Sequence, residues 1–87
     1  MVGFNAPFDW MFVADYCWRF LGRNPFGYAA LDLKALYMGR DSVAEWARTG
    51  KADVAARYPV TEAHTHNALD DARMQAALAR RLLRDPR

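Results

Sequence analysis

A helical segment over residues 8–21 is apolar almost all round, and in a chain of 87 residues this is the tightest constraint on the fold. At 3.6 residues per turn its polar stripe reduces to Asp15 and Arg19, paired at i, i+4. Such a helix expects partners on nearly every side. A chain of this length builds at most one small domain, close to the size at which burial is only just sufficient for stability. Hydrophobic residues make up 53% of it and aromatic residues 14%, high for so short a chain. The apolar surface must be covered by something.

Asp9 breaks the pattern of this helix. It lies off the Asp15–Arg19 stripe, between Tyr16 and Phe20, where an unpaired ionised carboxylate would carry a desolvation cost of at least several kcal/mol. A second carboxylate is set the same way. With residues 67–85 as a helix, Ala68, Leu69, Ala72, Ala76, Leu78, Ala79, Leu82 and Leu83 share one arc, and Asp70, Arg73, Arg80, Arg81 and Arg84 fill the other. Asp70 therefore sits among arginines on a solvated face. Asp71 projects from the apolar arc, between Leu78 and Leu82, away from those arginines. Nothing else in either helix neutralises Asp9 or Asp71, which calls for protonation or a cation, and a cation suggests phosphodiester chemistry. A plainer account is also open. An Asp at a helix start caps or favours the helix dipole, Pro7 suits a first turn, His66 fits a loop or cap, and Asp71 could bond a side chain elsewhere in the fold.

The remaining segments read as short elements. Residues 1–4 suggest a strand, Gly22 stops the first helix, residues 23–27 form a turn, and residues 28–31 suggest a second strand. Asp32 caps a helix ending near Gly39, Ser42 caps another through Trp46, and residues 52–57 form a third after Gly50. A loop over residues 58–65 leads into the last helix. There are no repeats and no low-complexity tract. Phe4, Phe8, Trp10 and Tyr28 offer rings for base stacking or, alternatively, for core packing.

The net charge of +2 does not diagnose a nucleic-acid binder by itself. Five arginines lie at or after Arg73, on a face that suits either the C-terminal helix dipole or phosphate contact. Cys17 is the sole cysteine, so no disulfide forms within the chain, and its apolar surroundings suggest an inert core residue. The apolar stretch at residues 10–14 is too short for a signal peptide or a membrane span, so a cytoplasmic location is expected by default.

Two motifs carry a resemblance. Val2-Gly3-Phe4-Asn5-Ala6-Pro7-Phe8-Asp9 resembles the second motif of the DEDDh group of 3′-5′ exonucleases, a strand end followed by Asn-x-x-Phe-Asp. His66 with Asp71 five residues later resembles the third motif, and residues 30–36 resemble the family's short strand entering a helix at an Asp. The resemblance spans nearly the whole chain, and the two motifs together are far more specific than either alone. It implies an α/β, RNase H-like exonuclease fold, of which residues 1–87 form a C-terminal portion, mostly helical with one or two short strands. It also implies His66 as general base, Asp9 and Asp71 as ligands of Mg²⁺ or Mn²⁺ (two ions in the complete domain), and Asn5 and Phe8 as substrate-binding or orienting residues. The implied substrate is the 3′ end of single-stranded RNA or DNA. The family's first motif, Asp-x-Glu on the opening strand, does not occur in the sequence. The expected chain is therefore an incomplete domain, poorly active alone, that pairs with a complementing N-terminal half or with a second copy. Two other readings stand beside it. One is a non-catalytic helical interaction module or degenerate exonuclease remnant. The other is a zinc hydrolase using His64 and His66 with Asp70 or Asp71.

Overall fold

The computed structural model describes residues 1–61 and 67–85. Two short strands, β1 (Val2–Gly3) and β2 (Leu31–Asp32), pair in parallel with Val2 opposite Leu31 and Gly3 opposite Asp32. Parallel neighbours need a crossover, and α1 (Ala6–Leu21) supplies it. The chain continues through α2 (Leu33–Arg40), a 3₁₀ turn at Trp46–Arg48, α3 (Lys51–Arg57) and α4 (Ala68–Arg84). The result is mostly helical with a two-stranded parallel sheet, compatible with part of an α/β fold.

Local chemistry sets the element ends. Asn5 precedes α1 with φ 55° and ψ 48°, a left-handed conformation that asparagine tolerates better than most residues. Gly22, at φ 69°, stops α1 as its sequence position predicts. Asn24 closes the following turn, its side chain accepting the Phe26 N–H at 3.0 Å and its carbonyl the Gly27 N–H at 3.1 Å. The expected strand at residues 28–31 begins only at Leu31, whose N–H donates to the Met1 carbonyl at 2.8 Å, while Tyr28 stays almost wholly exposed. Asp32 caps α2 as predicted. Its Oδ1 accepts the Lys34 N–H and also the Ala6 N–H at the start of α1, both at 3.3 Å.

The Ser42 expectation is overturned. Ser42 starts no helix; at φ 54° it ends α2, and the Val43 N–H reaches back to the Met38 carbonyl at 3.1 Å in the manner of a Schellman closure. Val43 then packs against the core, and only the short turn at Trp46–Arg48 follows. The third helix takes Gly50 as its N-cap and starts one residue earlier than expected, with the Asp53 carboxylate accepting the Gly50 N–H at 3.2 Å. The last helix begins at Ala68, one residue later than expected, because Asn67 is its N-cap and accepts the Leu69 N–H at 2.9 Å.

The core lies among α2, α3 and α4: Leu33, Tyr37, Val54, Tyr58, Met74, Leu78 and Leu82 form one buried cluster. Tyr37 and Tyr58 meet edge to face at 6.4 Å, and the Tyr58 hydroxyl bonds the Asp41 carboxylate at 2.9 Å. At the far end of α4 the Arg40 guanidinium takes the Leu82 and Asp85 carbonyls, groups that a helix terminus leaves unpaired. Deleting these core side chains leaves cavities rather than exposed surface.

The expectation for α1 fails in one respect. Only Ala6 and Cys17 of this helix are buried, the latter as the sequence suggests, while Phe8 is 57% exposed, Trp18 61% and Phe20 73%. A sheet of two two-residue strands has too little face to cover a 16-residue helix. The molecule's 6,044 Å² of accessible surface accordingly exceeds the roughly 5,200 Å² typical of a folded chain of this mass.

Because Asp32 serves the starts of two helices, Asp32→Ala should cost about 1–3 kcal/mol of unfolding free energy. Asp32→Asn, which keeps an acceptor oxygen, should lose less. Urea denaturation followed by circular dichroism measures both.

Candidate functional site

Asp9 and Asp71 occupy equivalent places on their helices. Each is the fourth helical residue after an asparagine N-cap, Asn5 for α1 and Asn67 for α4. Helical side chains lean toward the N-terminus, so both carboxylates lean toward the start of their helix, where the dipole favours negative charge. Both line one groove of about 560 Å³, between α1 and α4 and floored by β1, whose other walls include Val13, Ala72, Ala76 and Leu83. Asp70 is absent from those walls, in keeping with its predicted place on the other arc.

β1 connects the two sides. Gly3 is buried, and a Cβ added there would lie 3.5 Å from Gln75 Oε1 and 3.9 Å from Asp9 Oδ2. Gln75 lies one turn beyond Asp71 on α4. Its Nε2 donates to Asp71 Oδ2 at 2.9 Å, and its Oε1 accepts the Phe4 N–H at 3.2 Å. The groove thus gathers the second motif's strand end, Asp9, Gln75 and Asp71.

The surroundings of the two carboxylates differ from those the helical wheels suggest. Asp9 is exposed, not enclosed by rings. Phe8 packs edge to face on Phe12 at 5.2 Å, and Tyr16 stacks on Phe20 at 5.9 Å, so the rings pair with one another along the open face of α1. The desolvation cost anticipated for Asp9 therefore does not arise here. Asp71 is half-buried, and its cation comes from a different helix: the Lys51 ammonium at the start of α3 pairs with Oδ1.

Lys51 and Gln75 are the groups that sequence reasoning missed. Gln75 carried a usable signal, since i, i+4 spacing from Asp71 places it within side-chain reach on the same helix. Lys51 carried none, because its contact depends on how α3 packs against α4. Asn5 and Phe8 are both exposed at the start of α1. His66, and His64 of the zinc alternative, lie outside the described residues.

The donor set suits one side of a hard divalent cation, because Asp9 and Asp71 offer oxygen ligands to the same groove. It does not complete a site: among the described residues no group of three or more His, Cys, Asp or Glu side chains is placed to hold a metal. Also among the described residues, no helix is long and apolar enough to cross a membrane.

A family model described as "Exonuclease" matches residues 1–79. The chain is 48% identical over 79 residues to a protein of Escherichia coli named 3′-5′ DNA exonuclease Cap18, covering 91% of this chain and 42% of that relative. The chain therefore spans less than half the length of the curated relative it matches. With 79 of its 87 residues matched by the family model, the chain belongs to the exonuclease family.

Proposed function

We propose that this chain supplies the second and third motifs of a 3′-5′ exonuclease of RNase H-like fold that removes nucleotides from the 3′ ends of single-stranded DNA. The observation that carries the reading is the shared groove, which both Asp9 and Asp71 line. The choice of DNA over RNA follows the name of the Escherichia coli relative.

In this reading Asp9 and Asp71 would hold Mg²⁺ or Mn²⁺ through their carboxylate oxygens. A cation held there would supply charge neutralisation at the phosphate and a lowered pKa for attacking water. His66 would serve as the general base for the attacking water, a role suited to a group whose ordinary pKa is about 6.5. The exposed Phe8 ring stacks on the terminal base. Asn5, through its left-handed backbone, turns the chain from β1 into α1 and so directs Phe8 and Asp9.

Mg²⁺ prefers a near-octahedral array of oxygens and dehydrates reluctantly, so two carboxylates hold a pair of ions poorly. The complete site then needs the Asp-x-Glu pair from a complementing N-terminal half. The uncovered face of α1 and the groove beside β1 are the surfaces such a piece would cover. A homodimer is the competing way to cover them. One observation favours the non-catalytic alternative: Lys51 already neutralises Asp71, which lets the groove stand as a structural ion pair.

Two measurements separate these readings. The 87-residue chain alone should release nucleotides from a 5′-labelled single-stranded oligonucleotide at a rate far below that of the reconstituted enzyme. Adding a separate polypeptide that carries the family's first three strands and Asp-x-Glu should restore Mg²⁺-dependent 3′ trimming. Robust hydrolysis by the chain alone would refute the incomplete-site account, and silence after reconstitution would favour the interaction module.

Within the reconstituted enzyme, Asp71→Ala should lower the rate by on the order of 100-fold or more, as loss of a metal ligand does. His66→Ala should cost about 10²–10⁴-fold. Asp70→Ala, on the other arc of α4, should stay within about threefold of the parent on the scale of ordinary surface substitutions. Single-turnover rates at saturating Mg²⁺ compare the three.

A further inference from the structure

We propose that Gln75 is a positioning residue of this exonuclease site, the side chain that holds Asp71 in register with Asp9; the proposal rests on the reading of those two carboxylates as metal ligands. A side-chain amide is a neutral group that donates at one end and accepts at the other. Both ends of Gln75 are used. The Phe4 N–H can only donate, so it fixes Oε1 toward β1, at 3.2 Å. The Asp71 carboxylate accepts at its Oδ2, so it fixes Nε2 toward α4's first turn, at 2.9 Å. Orientation of the amide follows from its partners and leaves no alternative flip that satisfies both.

The relay joins points 71 residues apart in sequence. Phe4 precedes Asn5, the turn into α1, and Asp9 follows one helical turn later. Buried Gly3 lies at the junction, where a Cβ would stand in van der Waals contact with Gln75 Oε1 at 3.5 Å and Asp9 Oδ2 at 3.9 Å. A shift of α4 against β1 would break the Phe4 bond.

Lys51 has a different job at the same carboxylate. It neutralises Oδ1 from the end of a long flexible stem and competes with a divalent ion for that oxygen. Gln75 carries no charge, does not compete electrostatically, and fixes the rotation of the carboxylate through the other oxygen. Removing Gln75 should therefore uncouple the two ligands without abolishing either one.

The test uses the 87-residue chain and needs no catalysis. Gln75→Leu removes both bonds, and Gln75→Met does so while keeping an unbranched side chain, which guards against a variant that fails to fold. Amide hydrogen exchange at Phe4 should quicken by about tenfold in either variant, the factor expected for loss of one hydrogen bond of ordinary strength. Mn²⁺ added to the ¹⁵N-labelled parent should broaden the amides around Asp9 and Asp71 with one shared midpoint. In the variants the two midpoints should separate, and the weaker should rise by about tenfold, the factor for a bond to a charged group. Unchanged Phe4 exchange overturns the proposal. So do faster exchange and an intact shared midpoint, because Gln75 would then be structural only. Because two carboxylates hold the ion weakly, the titration runs into the millimolar range, and absence of Mn²⁺ broadening in the parent even there overturns the metal-ligand reading itself and this proposal with it.

Discussion

The Asp32 carboxylate holds together the parts of the structure that everything else is placed against. It accepts the first N–H of α1 and an N–H in the first turn of α2, each at 3.3 Å, while its own residue pairs with Gly3 in the parallel ladder. Two helix N-termini, both electropositive, are thus pinned to one anion at the end of a two-stranded sheet. Asn5 makes no side-chain cap of its own, and Asp32 does that work across 26 residues. Without this bridge α1 would have few anchors, since Ala6 and Cys17 are its only buried residues.

The asymmetry between α1 and the rest follows from where apolar surface finds a partner. α2, α3 and α4 interlock through Leu33, Tyr37, Val54, Tyr58, Leu78 and Leu82 and form a closed core. α1 has as much apolar surface but faces two short strands. Its rings respond by pairing along the helix, Phe8 with Phe12 and Tyr16 with Phe20, which shields some of each ring without burying any. A surface of this kind favours association.

Much of this was legible in the sequence because it depends on local chemistry. Asp32 read as a cap from residue type and position, Gly22 as a stop, and α4 as an amphipathic helix. Three features were not legible. Ser42 has the residue type of an N-cap, yet it ends a helix because Val43 is drawn onto the core, a tertiary effect. The openness of Asp9 depends on how little of the sheet this chain contains, which no helical wheel represents. The Lys51 ion pair depends on α3 docking beside α4, so no sequence spacing announces it. Misreadings and omissions alike arose where contacts between distant segments decide the outcome.

The convergence of Asp9 and Asp71 has a cause simpler than either motif suggests. Each stands four residues after the asparagine that begins its helix, and each side chain leans back toward that beginning. The positive helix ends favour the carboxylates at that place, whatever cation comes to the groove. Convergence then reduces to one condition, that α1 and α4 begin near the same end of β1. The turn at Asn5 meets it for α1, because a left-handed residue between the strand and the helix sends the helix back along the sheet. For α4 the condition falls on the Phe4–Gln75 bond, which ties the second turn of the helix to the end of that strand. Two unrelated devices, a left-handed backbone turn and a bridging amide, therefore deliver two equivalent carboxylates to one groove.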